Sequence, residues 1–220
     1  MSYLLRVVLP DRPGSLGAVA TALGAAGVDI LGVDIVERAN GLAVDDLAVE
    51  LPPGRPPDVL ITAAESVPGV EVESVRPHSG RFDTHRELEL IEEITHRPDR
   101  GWDLLAEGVP RIFRAGWALV VERADGRSFR LAQSPAAPET EAVDLPWLPL
   151  EQAVIIDPQV HEVPSRWTEL DTELAAAPLG SGPRALALVV GRPGGPAFRR
   201  SELARLTHLA GIVSTVLLGT

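Results

Sequence analysis

Asp11-Arg12-Pro13-Gly14-Ser15-Leu16-Gly17 stands between an alternating apolar run and a stretch of helical period, and its reading decides the fold of the N-terminal third. Pro13 fixes φ near the helical value and sacrifices no hydrogen bond at a helix start, where the first amides have no partner in the helix. Gly14 lacks a Cβ, so a ligand can come close to the backbone. The amides that follow Asp11 are expected to be unpaired. With the positive end of the helix dipole they form a seat for a small carboxylate. A second turn, Gly27-Val28-Asp29-Ile30, follows at the far end of the same helix.

Outward from this stretch the periodicity switches between two and 3.6. Leu5, Val7 and Leu9 lie on one face of a strand with Arg6 between them, and Leu16, Val19, Ala20 and Leu23 then repeat at helical spacing. Leu31, Val33 and Ile35 mark a second strand, closed by Asn40-Gly41, the strongest hairpin signal in the chain. A third strand follows from Leu42 to Leu51, where Asp45-Asp46 interrupts the alternation and predicts a bulge. Leu60, Ala63, Ala64 and Val67 predict a second helix, and Val70 and Val72 a fourth strand. The order βαββαβ is that of a ferredoxin-like fold, one sheet covered by two helices.

Residues 77–84 are polar and follow neither period, so they read as a linker between a domain at 1–76 and a second at 85–220. The second is expected to begin with a helix around Leu88–Ile94 that stops ahead of Pro98, followed by a short helix over Gly101–Phe113. Trp117–Glu122 and Phe129–Gln133 predict a hairpin around Ala124-Asp125-Gly126, and residues 134–150, rich in prolines and acids, predict a loop. Val154–Ile156 and Ala185–Val190 are further strands. An amphipathic helix through Leu203, Leu206, Ala210, Val213 and Leu217, with Ser201 as its N-cap, ends the chain. The class is therefore α+β.

Composition removes several chemistries. The net charge of −11 argues against nucleic acid and anionic membranes as partners. All 20 basic residues are arginine, so lysine Schiff bases and phosphate-loop lysines are unavailable. There is no cysteine, hence no disulfide, thiolate nucleophile or cysteine-bound metal. The five histidines, at 78, 85, 96, 161 and 208, show no metal-binding spacing. Trp117, Trp147 and Trp167 read as core or loop-plug residues, and Gly180-Ser181-Gly182 and Gly194-Gly195 as turns. With no secretory pattern and no apolar run long enough for a bilayer, the expected location is the cytoplasm.

Residues 1–76 resemble the ACT family of small amino-acid-binding regulatory domains. The likeness is carried by Asp11-Arg12-Pro13-Gly14-Ser15-Leu16, the helix to Ala26, and Gly27-Val28-Asp29-Ile30. It implies that two copies associate through their sheets and that ligands sit between the two turns, with Asp11 and Asp29 as ligand contacts. Serine-sensing members commonly carry asparagine at the position of Asp29. An aspartate there accepts from an α-amino group but cannot donate to a carboxylate. Residues 85–220 resemble GAF-type domains, an α/β sandwich with an antiparallel sheet. Helices bracket short strands there, and Pro196-Ala197-Phe198-Arg199-Arg200-Ser201-Glu202-Leu203 leads into the terminal helix.

These readings predict a non-catalytic regulator that binds a small amino acid through Asp11, Arg12, Pro13, Gly14, Ser15, Leu16, Val28, Asp29 and Ile30. Amides around Pro13–Leu16 would meet the carboxylate, and Asp11 or Asp29 the amino group, with one turn from each of two subunits. A homodimer through the N-terminal domain and a protein partner are expected; no cofactor and no metal are. The alternative is a ligand-free module that dimerises and docks a partner. An enzyme with a regulatory domain in front ranks last, because residues 85–220 display no acid/base pair.

Overall fold

In the computed structural model, which describes residues 1–78, 85–139, 144–180 and 185–219, the alternation of Leu5, Val7 and Leu9 becomes the inner face of β1 (Ser2–Pro10). Helix α1 (Ser15–Ala25) follows, then β2 (Asp29–Ala39), β3 (Leu42–Glu50), α2 (Asp58–Glu65) and β4 (Glu71–Pro77). The strands form an antiparallel sheet in the order β2-β3-β1-β4. Leu5, Val7, Leu9, Leu47 and Val49 pack against Val19 and Leu23 of α1 and Leu60 and Ala64 of α2. Each such valine or leucine side chain contributes about 1.5–3 kcal/mol on leaving water. The β2–β3 hairpin turns at Asn40 and Gly41, whose φ of 54° and 76° are the paired positive values that a two-residue hairpin requires.

The acidic pair in β3 is not a bulge. β3 runs in unbroken register against β1, with Val7 opposite Asp45 and Arg6 opposite Asp46. The irregularities lie in its neighbours instead: on β2 between Ile30 and Gly32 and between Ile35 and Glu37, and where β4 meets β1 at Arg6 and Val7. Both acids fit a regular strand because each faces one side of the sheet, and all residues from Ala43 to Val49 are buried.

The chain divides into two units, Met1–Asp83 and Thr84–Thr220. Pro77 ends β4, one residue into the expected linker, and residues 79–84 of that linker lie outside the described residues. In the second unit α3 (Arg86–His96) and α4 (Gly101–Ile112) precede β5 (Trp117–Ala124), β6 (Arg127–Gln133), β7 (Val154–Ile156), β8 (Glu173–Pro178) and β9 (Ala185–Arg192). Helix α5 (Arg200–Leu218) ends the unit. Helix α3 stops at His96 because Arg97, at φ −134°, is driven out of the helical region by Pro98.

The strands form an antiparallel sheet in the order β6-β5-β9-β8-β7. Its inner strands are buried on both faces, which gives them near-continuous apolar runs. Leu186, Leu188 and Val190 of β9 face the helices, while Ala187 and Val189 join Trp117, Leu145 and Trp167 on the other side. Two expectations change here. β8 escaped the sequence reading because Leu174-Ala175-Ala176-Ala177 lacks the β-branched and aromatic residues that mark strands. The N-cap of α5 is Arg199 rather than Ser201, and Glu202 Oε2 accepts from the Arg199 amide at 2.9 Å. Ser181, Gly182 and residues 140–143 of the predicted loop lie outside the described residues. No helix among the described residues is long and apolar enough to cross a membrane.

Candidate functional site

The turn between β1 and α1 is held by its own backbone. The Asp11 amide donates to Gly41 O at 2.9 Å, that of Arg12 to Pro10 O at 2.9 Å, and that of Ser15 to Arg12 O at 3.2 Å. Pro13 has no amide hydrogen and stands in the turn, since α1 starts two residues later at Ser15. The amides of Gly14, Leu16 and Gly17 are left with no acceptor among the described residues. Only part of the expected row is therefore available, but it is contiguous with the mouth of the helix. Helix α1 has no side-chain cap and no acidic residue in its first turn, so nothing in that turn offsets its positive end. Gly14 is the N-cap at φ 91°, a conformation that side chains avoid, and a Cβ added there would meet nothing within 4 Å. The glycine answers a conformational demand and leaves an open approach.

The second turn has a structural job of its own. The Gly27 amide donates to Gly24 O at 2.9 Å and the Val28 amide to Leu23 O at 3.0 Å, the paired bonds of a Schellman motif. Val28 is buried in the core, which completes the motif with an apolar contact. Asp29 is exposed at the start of β2 opposite Glu50, and Ile30 is half-buried opposite Val49.

Topology separates the two turns. Asp11 follows Pro10, the partner of Leu42, whereas Asp29 faces Glu50, and Leu42 and Glu50 are the two ends of β3. At about 3.4 Å per residue they lie roughly 27 Å apart. One chain cannot bring Asp11 and Asp29 to the same small molecule; a shared site needs one turn from each of two copies. Asp11 is further drawn to Arg38, Oδ1 to Nε 3.7 Å, an exposed pair of the weak kind. Arg12 is exposed.

A further acid, not singled out as a site residue from the sequence, lies close to the first turn. Asp46 is paired bidentately with Arg6 at 2.7 and 2.8 Å, both side chains fully buried. Asp45 faces the opposite side, with Ala43 and Leu47, toward the helices. It is 2% exposed, and its Oδ1 is sealed from solvent without a hydrogen bond. Burial raises its carboxyl above the usual carboxylate range; Arg38 opposes the shift, while Asp11, Asp46 and Asp34 add to it. The signal available in the sequence was the acidic pair inside an apolar strand.

In the second unit the tryptophans fill rather than line space. Trp117 and Trp167 are buried with ring centroids 5.9 Å apart, among Leu145, Leu148 and Ile156. Trp147 donates its indole N–H to Glu162 O at 2.9 Å. A groove of about 450 Å³ between α3 and α4 is lined by Leu90, Leu104, Arg111 and Ser134 together with Glu93 and Glu107, which pair with Arg97 and Arg100. No group of three or more histidine or acidic side chains among the described residues is placed to hold a metal.

Residues 3–69 match the family model of the ACT domain. No curated protein matches the chain. Among solved structures, the free methionine-R-sulfoxide reductase from Neisseria meningitidis, in complex with its substrate, is 13% identical. It covers 64% of this chain and 94% of its own, with a TM-score of 0.51. The GAF domain of a phosphoenolpyruvate-protein phosphotransferase from Coxiella burnetii is 14% identical over 63% of this chain and 96% of its own, with a TM-score of 0.47. The corresponding GAF domain from Acinetobacter is 14% identical over 62% and 95%, also at 0.47. At such identities a likeness speaks of fold alone. Residues 3–69 thus match an ACT domain, and much of the chain shares its fold with the Neisseria reductase.

Proposed function

We propose that this protein is a non-catalytic regulator that binds a small amino acid at an interface between two ACT domains and signals through the geometry of the dimer. ACT and GAF-like domains together indicate a regulatory, ligand-binding role. The observation that carries the finer reading is the uncapped mouth of α1, where the amides of Gly14, Leu16 and Gly17 have no acceptor among the described residues. A ligand carboxylate accepts those hydrogen bonds at the favourable end of the helix dipole. Charge-assisted bonds contribute about 1.5–3 kcal/mol each, which supports micromolar to millimolar affinity. The ligand's amino group falls to a carboxylate near that mouth, from the same copy or from the Asp29 turn of a second one.

Association through the sheet has support of its own. Among the described residues β2 is an edge strand paired with β3 alone, and it exposes Val33 and Ile35. An unpaired apolar edge favours another strand as its neighbour. A ligand held between two copies then couples occupancy to dimer geometry. Calorimetric titration with each of the twenty amino acids, alongside the sedimentation mass with and without them, tests the reading. Heat from at least one amino acid and a dimer that Val33→Glu disrupts are expected. Silence from all twenty at millimolar concentration refutes it. The same edge also favours a second reading, a ligand-free docking module, which predicts partner capture that is indifferent to added amino acids.

A further inference from the structure

Resting on the amino-acid reading above, we infer that Asp45 receives the ligand's α-ammonium group, and that the ammonium and carboxylate of one amino acid are both held beneath and against the first turn of α1.

Placement comes from register. The face of α1 turned to the sheet is Ser15, Val19 and Leu23, all buried. Leu23 is tied to Val28 by the bond that closes the helix, and β2 then brings Ile30 opposite Val49. From Leu23 back to Ser15 is eight residues of helix, about 12 Å. From Val49 back to Asp45 is four residues of strand, about 14 Å. The two advances run side by side on the same face of the sheet, so the start of α1 stands over the row that holds Asp45. The charges of Asp11, in the β1–α1 turn, and Arg38, which pairs with Asp11, both act on the Asp45 carboxyl, which agrees with that placement.

Chemistry supplies the occupant. Asp45 is 2% exposed and its Oδ1 has no hydrogen-bond donor. A carboxylate oxygen in that state lacks a donor, and a primary ammonium supplies one together with a positive charge. Arg38 acts on it, while Asp11 from the turn, Asp46 from β3 and Asp34 from β2 add negative charge around it. An anion is repelled from that spot and a cation is drawn to it. At the mouth of α1 the situation reverses, because the free amides of Gly14, Leu16 and Gly17 and the helix dipole favour an anion. Ser15, at the start of α1 on the face turned to the sheet, has a hydroxyl that makes no hydrogen bond among the described residues. The two charges of an α-amino acid sit on neighbouring atoms of one carbon, so both receptors have to lie within one small site. Asp45 and the α1 amides meet that condition within a single copy; Asp29 of the same chain does not.

Titration of the full chain, Asp45→Asn and Asp29→Asn with each of the twenty amino acids at neutral pH tests this. The amide variant keeps the shape of Asp45, removes its charge and turns one acceptor oxygen into an N–H donor. The amino acid that binds the unaltered chain is expected to bind Asp45→Asn roughly ten- to hundredfold more weakly, and Asp29→Asn within about twofold. The matching α-hydroxy acid, which has no ammonium, is expected to bind the unaltered chain as weakly as the amino acid binds Asp45→Asn. Equal affinity of the unaltered chain and Asp45→Asn overturns the assignment while leaving the amino-acid reading intact. No heat from any amino acid with the unaltered chain overturns both. A measurement that needs no variant is calorimetry in two buffers of different ionisation enthalpy, somewhat above about pH 4. Proton release on binding is expected there as the ammonium draws Asp45 into its charged form, and its absence contradicts the assignment.

Discussion

Arg6→Leu isolates a charge that the first sheet keeps wholly out of water. Arg6 Nε and Nη2 meet Asp46 Oδ1 and Oδ2 at 2.7 and 2.8 Å, and neither side chain has exposed area. The two residues are directly opposite on β1 and β3, the central pair of the sheet. Removing the guanidinium leaves Asp46 buried beside Asp45, with like charges adjacent and the bidentate partner gone. Such a break costs about 3–5 kcal/mol. For a unit spanning Met1–Asp83, total stability is about 4–12 kcal/mol, so the loss is a large share of the whole. At about 4–8 °C per kcal/mol for a domain of this size, the melting temperature falls by roughly 12–40 °C. Far-UV circular dichroism during thermal and urea unfolding reads it. The double variant Arg6→Leu/Asp46→Leu removes both charges and is expected to recover to within about 1 kcal/mol of the unaltered chain. A single variant that loses less than about 1 kcal/mol, or a double variant less stable than the single one, refutes the argument.

Three other outcomes follow from the same structure. Asp45 holds its proton more tightly folded than unfolded, so the folded state binds more protons between the ordinary carboxylate pKa and the raised one, and stability falls as pH rises through that window. Asp45→Asn is therefore expected to melt above the unaltered chain at pH 7, with the gap closing as pH drops below about 4, followed by calorimetric scans across pH. Gly14→Ala forces a side chain into φ 91° and costs about 1–2 kcal/mol in urea unfolding, with weaker amino-acid binding as the helix mouth shifts. Arg192→Met strips Glu202 Oε1 (2.6 Å) and the carbonyls of Phe113 (2.7 Å) and Pro196 (2.9 Å) of a buried donor. A loss of about 3–5 kcal/mol is expected, read by tryptophan fluorescence, since all four tryptophans lie in the second unit.

Much of the fold was legible where local chemistry and period agree. Asn40-Gly41 marks its turn because both residues tolerate positive φ, and Leu16, Val19 and Leu23 declare a helix whose end Gly27 and Val28 close. The two strands of the second unit that alternate or run apolar, β5 and β9, were equally plain. Legibility failed where the reason for a residue lies far along the chain. Asp45-Asp46 looked like an interruption because Arg6, forty positions away, is what accommodates Asp46. Ser201 looked like a cap because nothing nearby tells that Glu202 bonds back to Arg199 while holding Arg192. The distance between Asp11 and Asp29 within one copy was not legible either, because a linear reading does not contain the order β2-β3-β1-β4, which sends the two turns to opposite ends of the sheet.

The most direct test of the central claim is an amide NMR titration of the full chain, labelled with ¹⁵N, by the amino acid that gives heat in calorimetry. The account predicts saturable shifts at Gly14, Leu16 and Gly17, the three amides at the mouth of α1 with no acceptor among the described residues, while Val28, whose amide is held by Leu23 O, stays in place. Unmoved resonances at all three positions under saturating ligand contradict it.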